Sequence, residues 1–283
     1  MMTEKKSIAR LSVVSNTLLI ILKVIAGLIS GSVSILSEAI HSGMDLVAAI
    51  IAFLSVRISD NPPDDRHPYG HGKYENISGV VEGLLILIAA GWIIFEAVRK
   101  FSYTQELESL GLGMAVMTVS ALVNLFVSSK LYKVARKTNS IALEADALHL
   151  KTDVYTSAGV ALGIGLIWLT DLHVLDPVIA ILVAALIIYE AYQLLARAFF
   201  PLVDVSWQRN EIDDLEKILA EMGVHYHNLK TRNAGNHWFV DFHIELPSEI
   251  TLEKAHEFCD KIEQSLEKRF PNLQINIHPE PLG

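Results

Sequence analysis

Six apolar blocks fill the first two-thirds of the chain, and they leave few folds open to it. They run over residues 8–30, 33–57, 77–101, 110–133, 143–170 and 174–199. Each is long enough to cross a bilayer, which takes ~20 residues of helix. Short polar connectors part them: Ser30-Gly31-Ser32, the longer Ser59–Lys73 loop, Ser102–Ser109, Lys133–Ser140 and Thr170–Asp176. One such block would fit a soluble helical core. Six in succession predict a six-helix transmembrane domain over residues 1–202.

Positive charge alternates along this region. Lys5, Lys6 and Arg10 precede the first block, Arg57, Arg66 and Lys73 follow the second, and Lys130, Lys133, Arg136 and Lys137 follow the fourth. The other connectors hold little, apart from Arg99 and Lys100. Cytoplasmic loops carry the excess of Lys and Arg, so both termini are expected in the cytoplasm. The opening MMTEKKSIAR has no small-residue cleavage site, and the first block is expected to persist in the mature protein.

The mean hydropathy of +0.37 conceals a change of regime. Residues 203–283 carry 15 Asp and Glu against 8 Lys and Arg and read as a soluble domain. An acidic domain is a poor nucleic-acid binder, because phosphate affinity needs Lys and Arg to release counterions. Cys259 is the only cysteine, so no internal disulfide and no multi-cysteine zinc knuckle can form. Glu211–Glu221 reads as a short helix. Trp238–Leu246 alternates, with Trp238, Val240, Phe242, Ile244 and Leu246 on one face and Asp241, His243 and Glu245 on the other, as a half-buried strand does. Thr251–Phe270 places Leu252, Ala255, Cys259, Ile262 and Leu266 on one stripe of a helix. Val224–Thr231 and Leu273–His278 are further strand candidates. The order αββαβ predicts a small α+β domain with its helices on one face of the sheet.

Chemistry enters at two echoing motifs, His41-x-x-x-Asp45 in SEAIHSGMD and His149-x-x-x-Asp153 in EADALHLKTD. Residues four apart share a helical face, so each motif offers an imidazole and a carboxylate in one direction. A charge in hydrocarbon costs at least ~2.5–3.5 kcal/mol on insertion scales. Four such groups at matching depth predict a common purpose: two nitrogens and two oxygens around one ion, a set that Zn²⁺ accepts. Isolated polar residues of the blocks, Asn16, Asn124 and Glu82, are expected to hydrogen-bond neighbouring helices instead. Lys23 is expected to snorkel outward or to pair with an acid.

In the second connector, Asp64, His67 and His71 can converge on one ion, although loop spacing does not fix their geometry. The tail holds six of the eleven histidines, His225, His227, His237, His243, His256 and His278. On the strand, His243 shares its face with Asp241 and Glu245, a polar face suited to metal or to water.

The segments SVSILSEAIHSGMD, DDRHPYGHGKYE and EADALHLKTD, with the αββαβ tail, resemble the cation diffusion facilitator family of zinc transporters over essentially the whole chain. The resemblance implies a homodimer of six-helix protomers in the bilayer, exchanging a divalent metal for protons, with a metallochaperone-like cytoplasmic domain. It maps the transport site onto His41, Asp45, His149 and Asp153, and a second metal site onto Asp64, His67 and His71. A cytoplasmic binuclear site falls on His227, His243, His256, His278 and Glu280, where the family pattern has Asp at the last position. Lys73 and Asp204 correspond to an interlocking pair at the dimer junction. His225 and His237 match no motif position. His41 at its place resembles the zinc-preferring pattern, and imidazole suits Zn²⁺ better than Mn²⁺.

The reading is a proton-coupled Zn²⁺ antiporter of a bacterial inner membrane, with zinc both cargo and regulator. Carriage of Fe²⁺, Co²⁺ or Cd²⁺ is the nearest alternative. A metal-sensing membrane protein and an intramembrane metallohydrolase are weaker ones, because two His and two Asp fill a tetrahedron and leave no open position for water.

Overall fold

The computed structural model describes residues 2–30, 33–100, 111–170, 174–235 and 237–282. It divides into two compact units, Met1–Phe199 and Phe200–Gly283.

The first unit consists of six long helices: α1 (Met2–Ser30), α2 (Val33–Ser59), α3 (Lys73–Lys100), α4 (Gly111–Thr138), α5 (Ile141–Thr170) and α6 (Leu175–Phe199). Several outrun the apolar blocks by a polar turn or more. α1 starts at Met2, α3 at Lys73, and α4 continues to Thr138. The extra turns hold one another. Lys5 Nζ of α1 donates to Glu75 Oε1 of α3 at 2.5 Å and stands 3.5 Å from Asp60 beyond α2. Ser59 donates to the same carboxylate at 2.8 Å, and Ser140, at the start of α5, donates to its other oxygen. Around them, Lys137 reaches Glu4 at 2.7 Å and Arg197 reaches Glu144 at 2.8 Å. Buried charge is tolerated only when paired and hydrogen-bonded, and this clasp meets that condition at one end of the bundle.

The interior is made of small and aliphatic residues. Val56, Leu131, Leu143 and Leu150 join α2, α4 and α5, while Ile86, Leu148, Ile187 and Leu194 join α3, α5 and α6. Gly79 lets α3 approach its neighbours closely: a Cβ there would stand 2.5 Å from Ile141 Cγ2 and 3.0 Å from Ala198 Cβ. Small residues at such crossings are how helices pack in lipid. Outward, large apolar side chains such as Leu18, Ile88, Trp92, Leu122, Leu182 and Tyr192 are exposed. A surface that apolar is solvated by lipid.

Among the described residues three helical stretches, Glu4–Ile29, Lys73–Arg99 and Pro177–Val203, are long and apolar enough to cross a membrane. The charges that interrupt α5 are Glu144, Asp146, Lys151 and Asp153, and α2 carries Asp45.

The second unit runs through a 3₁₀ turn (Phe200–Val203), α7 (Arg209–Glu221), β1 (Tyr226–Ala234), β2 (His237–Leu246), α8 (Leu252–Arg269) and β3 (Leu273–Pro281). Antiparallel β1 and parallel β3 flank β2. The parallel pairing needs a crossover, which α8 supplies. Thr251 caps α8 by accepting from the Lys254 amide, and Glu211 folds back on the Gln208 amide to start α7. Leu215 and Leu219 of α7 and Ile262 and Leu266 of α8 bury against Val240, Phe242 and Ile244. Leu252 does not join this stripe; it is 85% exposed in the first turn of α8. With both helices on one face, the opposite face of the sheet is left to polar side chains.

Candidate metal centres

Inside the helical unit, α2 contributes Asp45 and α5 contributes His149 and Asp153. His149 Nε2 stands 2.9 Å from Asp45 Oδ1, and both side chains are largely buried. Two ligands at ~2.0–2.1 Å from a tetrahedral ion stand ~3.3 Å apart, so this pair is close to the edge of such a tetrahedron. Asp153, one turn further along α5, accepts from Asn124 Nδ2 of α4 at 3.1 Å. His149 Nδ1 is buried without a hydrogen-bond partner. The side chain of His41 lies outside the described residues, although its backbone continues α2 one turn before Asp45. Two helices thus meet through one side chain from each motif.

The neighbouring expectations are met unevenly. Asn124 does bond across helices, and its partner is a site carboxylate. Glu82 does not: its Oε1 takes a hydrogen bond from Ser78 of its own helix at 2.9 Å, and Oε2 has none among the described residues. Asn16 Nδ2 is likewise buried and unpartnered. Lys23 is buried and donates to Ser42 of α2 at 2.6 Å, so it does not snorkel outward.

In the loop between α2 and α3, Asp64 Oδ1 accepts from the amides of Arg66 at 2.9 Å and His67 at 2.7 Å. An Asp side chain that bonds its own backbone ahead sets a turn, and this one returns His67 to its own carboxylate. His67 Nδ1 lies 3.2 Å from Oδ1, and His71 Nε2 lies 3.3 Å from Oδ2. Gly70, at φ +83°, makes the bend between the two histidines. One donor atom from each of the three residues falls within 4.8 Å of the others. The His67 amide, with that of Arg66, holds the Asp64 carboxyl below the usual carboxylate range. Asp64 is therefore an anion ready for a cation.

The third group sits on the open face of the sheet. Pairing sets His227 of β1 opposite His243 of β2, and His243 opposite His278 of β3. Side chains directly across a sheet are near neighbours, so strand register alone aligns three imidazoles. Glu280, two residues on, closes the group: its Oε1 is 2.9 Å from His243 Nδ1 and its Oε2 is 3.2 Å from His227 Nε2. His227, His243 and Glu280 fall within 4.8 Å of one another. His278 Nε2 is 3.5 Å from Glu280, at the edge of the group. His256 is not brought into it; it stands exposed on α8 beside Asp260. Asp241, His243 and His278 also line a cavity of about 250 Å³ with Asn228 and Lys230.

Lys73 opens α3, and Asp204, at φ +54°, follows the 3₁₀ turn with one oxygen 3.8 Å from Arg232. Sequence reasoning assigned no role to Asn228, which orients His243 Nε2 at 3.1 Å, and gave Asn124 a purely structural one. The register shift between His227 and Lys230, where Asn228 takes φ +53°, has no signature in the sequence pattern.

Comparison with known proteins places these centres in context. Residues 9–203 match the model of the cation efflux transmembrane domain, and residues 208–282 match that of the cation efflux protein cytoplasmic domain. The transporter sll1263 of Synechocystis sp. is 35% identical over 264 residues, which is 92% of this chain and 85% of that protein. The cation-efflux pump FieF of Klebsiella pneumoniae is 30% identical over 282 residues, 99% of this chain and 93% of the pump. A metal-bound C-terminal domain of the CzcD transporter from Thermotoga maritima is 31% identical, covering 27% of this chain and 96% of that one, with a TM-score of 0.25.

Proposed function

Since the chain belongs to the cation diffusion facilitator family, whose members are divalent-metal efflux transporters and not enzymes, we propose that it exports Zn²⁺ in exchange for protons. The cargo site is His41, Asp45, His149 and Asp153. The contact between His149 Nε2 and Asp45 Oδ1, joining α2 to α5 inside an apolar bundle, carries this reading.

That contact also explains the coupling. When Nε2 holds a proton and donates to Asp45, its lone pair is occupied. A metal needs the same lone pair, and it binds neutral imidazole and ionised carboxylate. Proton and metal are therefore alternative occupants of one nitrogen. With the site open to the cytoplasm, Zn²⁺ displaces the proton; with the site open outward, where protons are abundant, the exchange reverses. Asn124 donates to one Asp153 oxygen and so orients the carboxylate.

Asp64, His67 and His71 form a second zinc site at the membrane edge. His227, His243, His278 and Glu280 form a regulatory one in the cytoplasmic domain, with His256 contributing only if a second chain or a rearrangement brings it near. The protein acts as a homodimer, consistent with its family dimerisation module, with Lys73 and Asp204 at the junction. All six helices span the inner membrane, and both termini are cytoplasmic.

The test is radioactive zinc uptake into proteoliposomes driven by an imposed pH gradient, with Fe²⁺, Co²⁺ and Cd²⁺ as competitors. Wild type should accumulate zinc only with the gradient, and Asp153→Ala should not. Gradient-independent accumulation would defeat the exchange, and preferential displacement by another metal would defeat zinc as cargo.

A further inference from the structure

Two carboxyl groups of the bundle interior have no part in the cargo site. Glu82 of α3 and Asp146 of α5 are both fully buried. Asp146 precedes His149 by three residues, about one helical turn, on the side where α5 begins at the Ser140 clasp. Among the described residues, Glu82 has only Ser78 on one oxygen, and the buried Ser12 hydroxyl of α1 is the hydrogen-bonding group that faces the Asp146 carboxyl.

The charges around them are few. Glu82 is within electrostatic reach of Asp146 and His149, and Asp146 of His149. Cations of the neighbouring helices are engaged elsewhere: Lys5 with Glu75 and Asp60, Lys23 with Ser42, Lys151 with Glu190, and Arg197 with Glu144. The acids of those helices, Asp45 and Asp153, are held by His149 and Asn124. Two ionised carboxylates facing each other in a dry interior are strongly disfavoured, and such pairs retain protons. One serine hydroxyl apiece, Ser78 for Glu82 and Ser12 for Asp146, is too little to hold two buried carboxylates.

We propose that Glu82 and Asp146 are a proton-binding pair that is protonated while the cargo site is empty and gives up protons when a divalent cation occupies it. The inference rests on the exchange reading and adds to it a proton store distinct from the metal ligands. The linkage is electrostatic. His149 is within electrostatic reach of both carboxyls, and a dication held at that residue favours ionised carboxylates as a charged imidazole does. On metal loading, each carboxyl O–H releases its proton to water; on metal release, each carboxylate takes one back. No bond to the metal is required, and the charge of the interior stays nearly constant through the cycle.

Infrared difference spectroscopy of the full-length protein at neutral pH, zinc-free minus zinc-loaded, reads the pair directly. A carbonyl stretch of protonated carboxylic acid should vanish on adding zinc, and Glu82→Gln with Asp146→Asn should abolish that band. A band absent from wild type, or unchanged in the double variant, overturns the proposal. In proteoliposomes the double variant should keep zinc-for-zinc counterflow within about twofold of wild type while pH-driven uptake falls about tenfold or more. Retained pH-driven uptake, or joint loss of counterflow, also overturns it. Wild-type protein that shows counterflow but no pH-driven uptake sinks the exchange reading instead, and the infrared band still judges the pair.

Discussion

On the sheet, His227, His243 and Glu280 stand together with side chains 46%, 29% and 35% exposed, whereas His149 and Asp45 are held together at 13% and 5%. The donor chemistry is alike and the surroundings are opposite. Water can satisfy the sheet group without a metal, so its geometry is fixed by strand register and is open to an ion from one side. The bundle has no such recourse, and its ligands must satisfy one another: His149 takes Asp45, and Asn124 takes Asp153. A metal entering the bundle has to break bonds that already exist. Easily replaced ligands suit passage, and a preset exposed group suits sensing. The same contrast extends beyond the metal centres: at the clasp end of the first unit buried charge is paired, as Lys5 is with Glu75, while much of the second unit's charge is solvated.

The largest test of that contrast is thermal stability. Glu75 and Lys5 are 4% and 5% exposed, and Gln at position 75 would leave the buried lysine Asp60 alone, at 3.5 Å. Losing a partner of a buried charge costs ~3–5 kcal/mol, of which Asp60 offsets a part, so Glu75→Gln should still lower the melting temperature of the detergent-solubilised protein strongly. Asp213→Asn, removing the partner of exposed Arg209 on α7, should change stability by less than ~1 kcal/mol. Equal shifts for the two would erase the distinction between the regions.

Next in size is the proposed cargo site. Asp45→Asn keeps an acceptor for His149 but removes a charge that the metal needs. Zinc flux into proteoliposomes should fall by ~100-fold or more, above the ~10–100-fold typical of losing an outer-shell partner. His243→Ala should leave the unregulated flux within a fewfold of wild type and instead weaken zinc binding by at least ~10-fold, measured by calorimetry on the full chain. If His243→Ala stops transport as completely as Asp45→Asn, the sheet group belongs to the conduction path. Smaller again is Asn124→Ala. Freed of its donor, Asp153 is less well oriented, and a loss of zinc affinity of about 10-fold is expected in equilibrium dialysis. No change would return Asn124 to the structural role that its sequence context gave it.

Most of the architecture was legible in the residues because it rests on period and length. The apolar blocks located all six helices to within a few residues at their inner boundaries, and the alternation of Trp238–Leu246 located β2 and the face that carries His243. What escaped was decided by partners far apart in the chain. Glu75 meets Lys5 from 70 residues away, and nothing local marks either as buried. Those two residues extend the helices past their apolar blocks, since a polar turn that is clasped is as stable as an apolar one in lipid. Asn124 and Asp153 are 29 residues apart, so spacing could not join them. In the loop, residue types named Asp64, His67 and His71, but only the Asp64 turn shows how they converge. On the sheet, the residue types suggested a metal face, and the register of three strands supplied its alignment. Leu252, placed on the buried stripe by periodicity, is exposed because the stripe begins one turn later, at Ala255.

The loop tests the comparison at its mildest, since Asp64 is exposed and yet fixed. Its carboxyl is held below the usual range by the amides of His67 and Arg66. A carboxyl whose folded value is depressed contributes its binding in full above its unfolded value, and loses it only as pH falls through the lower folded one. Between neutrality and pH ~5, Asp64 therefore stays an anion. Zinc affinity of the loop, followed at neutral pH in a variant lacking the sheet and bundle ligands, should fall by at least ~10-fold in Asp64→Asn. An unchanged affinity would mean that the exposed carboxylate takes no part in holding an ion there, and the loop would then differ from both the bundle and the sheet.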